Sequence, residues 1–176
     1  ANAMAAAQFY QVRRLLLQSG GPQDPLLAKA EQSLQKLSQL QPSASTNQLL
    51  LGELLERRGE LESAVDAYQQ AIKLGEQRLN VYERLILLLY QLNRFKEAEQ
   101  YIAQLNDRSA TSAGLSTLEI SLALRSGGLD GALEAARRGV IQRPRDPLAF
   151  VWLGQLLSSS GKQDEAERSF RRAIEL

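Results

Sequence analysis

The chain has 176 residues, of which 21 are lysine or arginine and 20 are aspartate or glutamate, so its formal net charge is only +1. This near balance gives no long-range field that would attract nucleic acid or an anionic membrane surface. The sequence contains no cysteine and no histidine, which removes the usual zinc ligands, the thiol nucleophile and the commonest general base. We therefore expect no metal site, no cofactor and no catalytic residue.

The first residues of the chain are expected to differ in origin from the rest. Residues 1–3, followed by Met4, resemble the remnant of a cleaved expression tag, so the domain is counted from Met4. The longest notable apolar run, residues 85–90, is far shorter than the roughly 20 residues that a membrane helix needs. No signal peptide is visible, so the compartment is undetermined and the cytoplasm is only the default expectation.

The first helical hairpin is predicted at residues 5–44, of which residues 11–44 correspond to one repeat unit. It contains a long turn around Gly20 and Gly21, followed by Asp24 and Pro25. An aspartate followed by a proline is a favourable helix start, because the carboxylate caps the free N–H groups and proline fits the first turn. We predict a degenerate helical hairpin here.

After residue 44 a pattern recurs every 34 residues. Each repeat unit has an alanine and, five residues earlier, a residue that tolerates the left-handed conformation ending a helix. The repeat units are residues 45–78, 79–112, 113–146 and 147–176; the turn residues are Gly59, Asn93, Gly127 and Gly161, and the alanines are Ala64, Ala98, Ala132 and Ala166. Each unit is predicted to be a helix, a tight turn and a second helix.

The first and last of these units agree best with each other. Both carry a leucine–glycine pair in the first helix and an aromatic residue four positions after the alanine: the residues are Leu51, Gly52 and Tyr68 in one, and Leu153, Gly154 and Phe170 in the other. We expect the alanine to lie where the two helices cross, and the aromatic residue to fill the space toward the next hairpin.

The two middle units depart from this pattern. The unit at 79–112 has Ile86 where a glycine is usual, which should push its two helices slightly apart. The unit at 113–146 has Glu119 where a leucine is usual. We expect Ile120 and Ala123 to supply the buried face there, after a small rotation of the helix.

This pattern resembles the tetratricopeptide repeat, and the resemblance covers residues 11–176. It implies an all-α fold, a right-handed α-α superhelix (solenoid) of antiparallel helical hairpins with about five units, in a single domain at residues 4–176. The last unit is four residues short of a full repeat, so we expect a fragment of a longer solenoid. The RNA-reading pentatricopeptide repeat is disfavoured by the fixed step of 34, the Leu-Gly pairs and the neutral charge.

The resemblance implies a protein–protein interaction module without enzymatic activity, which binds a partner's peptide or helix in a concave groove lined by the first helices. The positions carried over from the family are Leu49, Glu53, Arg57, Glu83, Leu87, Tyr90, Gln91, Leu124, Val151 and Gln155. An alternative for Leu49, Leu124 and Tyr90 is that they only pack against adjacent first helices.

Some family members clamp the C-terminal carboxylate of heat-shock chaperones with lysine, asparagine and arginine side chains. The matching positions here hold other residues: they are Leu49, Glu53, Arg84, Gly114 and Leu118. Glu53 and Glu83 would in addition repel an incoming carboxylate. We therefore predict that a chaperone tail is not the ligand.

The sequence also permits a function without a groove ligand. The segment could be a structural spacer, or a self-associating part of a longer solenoid fused to a catalytic or secretion domain. In that case we expect end-to-end homo-association through the open C-terminal repeat, driven by the apolar face near Phe170 and Ile174. Nothing in the sequence identifies the partner or the parent protein.

Overall fold

Nine α-helices make up the part of the chain that this computed structural model describes, which is residues 2–107 and 112–176; no strand occurs within these ranges. The helices are α1 (Asn2–Gln18), α2 (Pro25–Leu40), α3 (Ser45–Arg58), α4 (Leu61–Lys73), α5 (Leu79–Gln91), α6 (Phe95–Asp107), α7 (Ala113–Gln142), α8 (Pro147–Ser159) and α9 (Gln163–Glu175). Helix α7 is broken at Gly128, where the backbone leaves the helical conformation.

The chain divides into two compact halves, the N-terminal half Ala1–Leu88 and the C-terminal half Leu89–Leu176. In the N-terminal half α1 packs against α2 and α3 against α4, and both α1 and α2 contact α3. In the C-terminal half α6 contacts α7, α7 contacts α8, and α8 packs against α9. Each half is therefore built from helices that pack against their neighbours in the chain.

The predicted helix starts are confirmed at two aspartates. Asp24 accepts a hydrogen bond from the Leu26 N–H at 2.8 Å and a second from the Gly20 N–H at 2.8 Å, and Pro25 is the first residue of α2. These two backbone hydrogen bonds lower the pKa of Asp24. Asp146 caps α8 in the same way. The side-chain cap satisfies N–H groups that have no partner inside the helix.

The first hairpin begins slightly earlier than predicted. Helix α1 begins at Asn2, three residues before the predicted start at residue 5, and Ala5 is already buried. Its core is a cluster of aliphatic residues from three helices: Val12, Leu16, Leu27, Ala30, Leu34, Leu50 and Leu54. Burial of this apolar surface is the main source of stability for such a hairpin.

The predicted left-handed turn residues are confirmed at Gly59, Asn93 and Gly161, whose φ angles are 79°, 58° and 79°. The prediction for the remaining turn was wrong by one residue. There the positive φ belongs to Gly128 (φ 65°, ψ −159°) and not to Gly127. Both residues are glycine, so local sequence permits the break at either, and the conformation adopted at Gly128 is open essentially to glycine alone.

Close contact within a hairpin is made between a glycine and an aromatic ring. A Cβ atom added at Gly52 would lie 2.9 Å from the ring of Tyr68, and one added at Gly154 would lie 2.7 Å from the ring of Phe170. The expectation that the aromatic residue fills space toward the next hairpin was therefore incomplete. The ring first occupies the space left by the missing side chain of the glycine in its own hairpin.

In the repeat unit at 113–146 the large and small side chains are exchanged. Its residue equivalent to the glycine is Ile120, and its residue equivalent to the aromatic is Ala136; both are buried in one cluster. Ala123 packs against the same cluster, which confirms that Ile120 and Ala123 supply the buried face. Glu119 is also buried, and Arg138 forms an ion pair with it at 2.8 Å. That pairing compensates a charge that would otherwise be costly to bury.

The connection between α4 and α5 is held by Glu76. Its carboxylate accepts hydrogen bonds from the Gln77 and Arg78 N–H groups, both at 3.0 Å, and from the Arg78 guanidinium at 2.9 and 2.5 Å. The hydrogen bond from the Arg78 side chain is the largest of the effects that lower the pKa of Glu76 to about 2. The buried carboxylate therefore stays charged at neutral pH.

Candidate functional site

A cleft of about 340 Å³ opens in the N-terminal half between α1, α3 and α5. We call it the Arg–Glu cleft. Its lining residues are Arg13, Leu16, Leu17, Leu49, Glu53, Glu56, Arg57, Tyr68, Asn80, Val81 and Arg84.

Helical spacing brings most of these residues to the cleft. On α3 the four lining residues follow one another at i, i+4, i+7 and i+8, beginning at Leu49. Residues at these intervals share one face of a helix. Arg13 and Leu17 are four apart on α1, and Asn80 and Arg84 are four apart on α5. Each of the three helices therefore contributes one stripe of side chains.

Ion pairs cross the cleft between these stripes. Arg13 donates through Nη1 to both carboxylate oxygens of Glu53, each at 2.9 Å. Arg84 forms an ion pair with Glu56, whose second oxygen accepts a hydrogen bond from the Tyr68 hydroxyl at 3.0 Å. Each of the two carboxylates in the cleft is thus matched by a guanidinium, and the pairs connect α1 and α5 to α3.

Burial raises the pKa of the Tyr68 hydroxyl, and the nearby negative charge of Glu53 raises it further. The hydroxyl therefore keeps its proton at neutral pH and remains a hydrogen-bond donor to Glu56.

Arg57 is bound differently from the other two guanidiniums. Its Nη1 donates to the backbone oxygen of Ser19 at 3.0 Å and lies 3.4 Å from the Ser19 hydroxyl. Ser19 directly follows α1, so this contact satisfies a carbonyl group at the C-terminal end of that helix. Arg57 therefore lies at the end of the cleft where α1 terminates.

A second group of polar and aromatic side chains lies in the C-terminal half. The ring centroids of Tyr90 and Phe95 are 5.7 Å apart, and the Arg125 guanidinium lies 5.6 Å from the first and 5.7 Å from the second. Arg125 Nε also lies 3.3 Å from the Tyr90 hydroxyl. The arrangement is a cation–π contact, which holds Tyr90 in place at the protein surface.

The comparisons with known proteins agree with the repeat pattern. A model of the tetratricopeptide repeat family matches residues 15–176. The chain belongs to the tetratricopeptide repeat family. Proteins of this family are generally non-catalytic scaffolds for protein–protein interaction.

Solved structures of tetratricopeptide repeat proteins share this fold. MamA from strain RS-1, a double mutant, has 16% identity and a TM-score of 0.75, and the match covers 98% of this chain and 93% of that one. PilF from Pseudomonas aeruginosa has 16% identity and a TM-score of 0.68, with 99% and 77% covered. YrrB, described as a TPR protein with an unusual peptide-binding site, has 21% identity and a TM-score of 0.63, with 85% and 77% covered. No curated protein matches the sequence.

Three of the ten residues carried over from the tetratricopeptide repeat pattern line the Arg–Glu cleft. They are Leu49, Glu53 and Arg57. Leu49 is only 5% exposed, so it forms the floor of the cleft and packs against its neighbours. Two further lining residues, Arg13 and Leu17, come from α1 and were not predicted, because the degenerate first repeat offered no register from which to assign them.

The other seven predicted residues line no part of this cleft. Glu83 and Leu87 are half-buried on α5, and Val151 is half-buried on α8. Tyr90 belongs to the cation–π group described above. The exposed members of the predicted set are Gln91, Leu124 and Gln155. With 48% of its surface exposed, Leu124 is not confined to packing between helices.

The prediction against a chaperone tail rested on two arguments, and the argument from charge repulsion does not hold for Glu53. Glu53 does not act as an unopposed negative charge, because Arg13 neutralises it at 2.9 Å. The other argument, that lysine and asparagine are missing at the clamp positions, is a property of the sequence and is unaffected.

Within residues 2–107 and 112–176, no three carboxylates converge in a way that could hold a metal ion. No helix in the described part of the chain is both long enough and apolar enough to cross a membrane.

Proposed function

We propose that this tetratricopeptide repeat chain binds a peptide or a helix of a partner protein, and that the Arg–Glu cleft is the place of contact in the N-terminal half. The observation that carries the proposal is the convergence of Leu49, Glu53 and Arg57, chosen from the family pattern, with Arg13 and Leu17 around one cleft. Clefts that combine an apolar floor with a few placed polar groups are suited to specific binding.

The internal ion pairs favour recognition because they fix the walls of the cleft before a partner arrives. Side chains that are already ordered lose less conformational entropy on binding. Arg13 and Arg84 are held by Glu53 and Glu56, and Tyr68 is held by its hydrogen bond to Glu56. YrrB, which shares the fold, is described as having an unusual peptide-binding site. This analogy supports peptide binding as the class of function proposed here.

The experiment that tests the proposal is a crosslinking pull-down from a lysate of the native host, with three baits. The first is the wild-type chain. The second carries Leu17→Gln, which removes an apolar side chain that is 72% exposed at the mouth of the cleft. The third, the matched control, carries Tyr10→Gln, which removes a side chain that is 71% exposed on the same helix but outside the cleft.

A partner that binds in the Arg–Glu cleft should be retained by the wild type and by Tyr10→Gln, and reduced about tenfold or more by Leu17→Gln, since such an anchor contributes on the order of 1–3 kcal/mol. Both variants alter exposed positions, so circular dichroism should show unchanged helicity. If all three baits capture the same proteins in the same amounts, the cleft is not the binding site.

A second candidate function is self-association through the C-terminal hairpin, and it would make the segment a spacer or an assembling part of a longer solenoid fused to another domain. Ile174 is 85% exposed on α9. A notch of about 270 Å³ in the same half is lined in part by Phe150, Leu153 and Leu157. Light scattering over a range of concentrations tests this candidate. A dimer that persists unchanged in Ile174→Asp would exclude association through this face.

A further inference from the structure

We infer that the Arg–Glu cleft selects a partner segment in which an acidic side chain lies next to an apolar one, and that Arg57 binds the acidic side chain. The inference rests on the proposed function, since it names the chemistry of the segment that would occupy the same cleft. Arg57 is then a specificity-determining residue, and Leu17 supplies the apolar contact beside it.

The lining of the Arg–Glu cleft carries more positive than negative charges. It contains three guanidiniums and two carboxylates. Glu53 is matched by Arg13, and Glu56 by Arg84. Arg57 is the guanidinium that remains without a carboxylate among these pairs. A basic partner group would have to compete with Arg13 or Arg84 for a carboxylate, whereas an acidic group meets a cation that forms no ion pair within the cleft.

The hydrogen bonds of Arg57 leave it able to bind a carboxylate. A guanidinium has five N–H donors. The described hydrogen bonds of Arg57 both involve Nη1 and both go to Ser19. Those contacts anchor the side chain, while Nε and Nη2 make no hydrogen bond among those described. A carboxylate can accept two parallel hydrogen bonds from such a fork, which is the geometry that gives arginine its preference for acidic groups.

The apolar contact lies at the same end of the cleft. Ser19, to which Arg57 is anchored, is two residues after Leu17 in the chain. Leu17 is largely exposed, while Leu16, Leu49 and Val81 behind it are buried. An apolar side chain of the partner would cover Leu17, and an acidic neighbour would then reach Arg57. The recognised unit is therefore an acidic side chain next to an apolar one.

The test uses the full chain and an immobilised library of random peptides of about 12 residues with amidated C-termini, so that only side-chain carboxylates are presented. Peptides retained by the wild type should be enriched in aspartate or glutamate beside leucine, isoleucine, methionine or phenylalanine. For the best peptide, changing its acidic residue to the corresponding amide should weaken binding to the wild type by about fivefold or more, which is typical of a charge-assisted hydrogen bond at a partly exposed site.

Two protein variants complete the comparison. Arg57→Gln should bind the acidic peptide and its amide version equally. Arg58→Gln is the matched control, because it makes the same change one residue along on α3, where Arg58 pairs with Glu31 at 2.7 Å and lies outside the cleft lining. Arg58→Gln should keep the full preference for the acidic peptide. The peptide comparison on the wild type does not depend on either variant folding.

The outcomes separate the inference from the proposed function. Retained peptides without acidic enrichment, or an acidic preference that survives in Arg57→Gln, would overturn the inference and leave peptide binding intact. If the library yields no bound peptide at all, the inference fails, whereas the proposed function is decided separately by the pull-down with Leu17→Gln.

Discussion

Replacing Gly52 by alanine should destabilise the N-terminal half, although alanine is the better helix former. The added Cβ would lie 2.9 Å from Cδ1 and Cε1 of Tyr68, about half an ångström or more inside ordinary contact. The ring has little room to retreat, because Tyr68 is fully buried and its hydroxyl is bonded to Glu56 at 3.0 Å. The substitution therefore tests whether the missing side chain at Gly52 is what admits the ring.

The expected change in the free energy of unfolding is the sum of opposing contributions. Alanine gains about 1 kcal/mol over glycine inside a helix. Overpacking a filled crossing costs about 1–3 kcal/mol, and a shift of the ring that breaks the Tyr68–Glu56 hydrogen bond costs a further 0.5–1.5 kcal/mol or so. We expect a net loss of about 0.5–3.5 kcal/mol in the free energy of unfolding.

The assay is urea denaturation followed by far-ultraviolet circular dichroism, with Gly139→Ala as the matched control. Gly139 is also inside a helix, but a Cβ there would meet nothing closer than Arg143 Nη2 at 3.9 Å. The control should therefore be stabilised by about 0.5–1 kcal/mol. A second variant, Gly52→Ala with Tyr68→Leu, should lose less than the sum of the two single changes, because the smaller side chain makes room for the methyl group.

A Gly52→Ala protein that is as stable as the wild type, or more stable, would contradict this prediction. That result would mean that the ring of Tyr68 moves aside without cost, and that the glycine in the Leu-Gly pair is not required for packing.

Two further predictions concern the backbone break in α7 and the charge at Glu76. Gly128→Ala should lower the melting temperature, at a cost of about 1–3 kcal/mol, because its φ of 65° and ψ of −159° suit only glycine. The control Gly127→Ala should leave the melting temperature unchanged, since Gly127 is equally free of neighbours within 4 Å. Equal changes in melting temperature for the two variants would contradict this prediction. Glu76→Gln should cost about 1–3 kcal/mol at pH 7. Because the pKa of Glu76 falls from 4.5 to about 2 on folding, its contribution is complete above pH 4.5 and should disappear in urea titrations as the pH falls toward 2; a difference independent of pH would rule this out.

Much of the site depended on contacts that a sequence does not display. The family pattern pointed to Leu49, Glu53 and Arg57, because they occupy fixed positions on a helix whose register the repeat defines. Arg13 could not be assigned in this way, since it pairs with Glu53 across 40 residues of chain and belongs to a repeat without a clear register. Which guanidinium neutralises which carboxylate depends on how α1, α3 and α5 approach one another.

Features whose causes are local could be predicted from the amino-acid sequence. These features are the 34-residue period, the capped helix starts at Asp24 and Asp146, and the turns at Gly59 and Asn93. They depend on hydrogen bonds and backbone angles within a few residues, so a short window of sequence is sufficient to predict them. The tertiary structure alone decided that Tyr68 packs on Gly52. It also decided that Glu53 and Glu56 pair with Arg13 and Arg84, so that Arg57 has no carboxylate partner in the cleft. These outcomes follow from side chains that meet only when distant helices pack together.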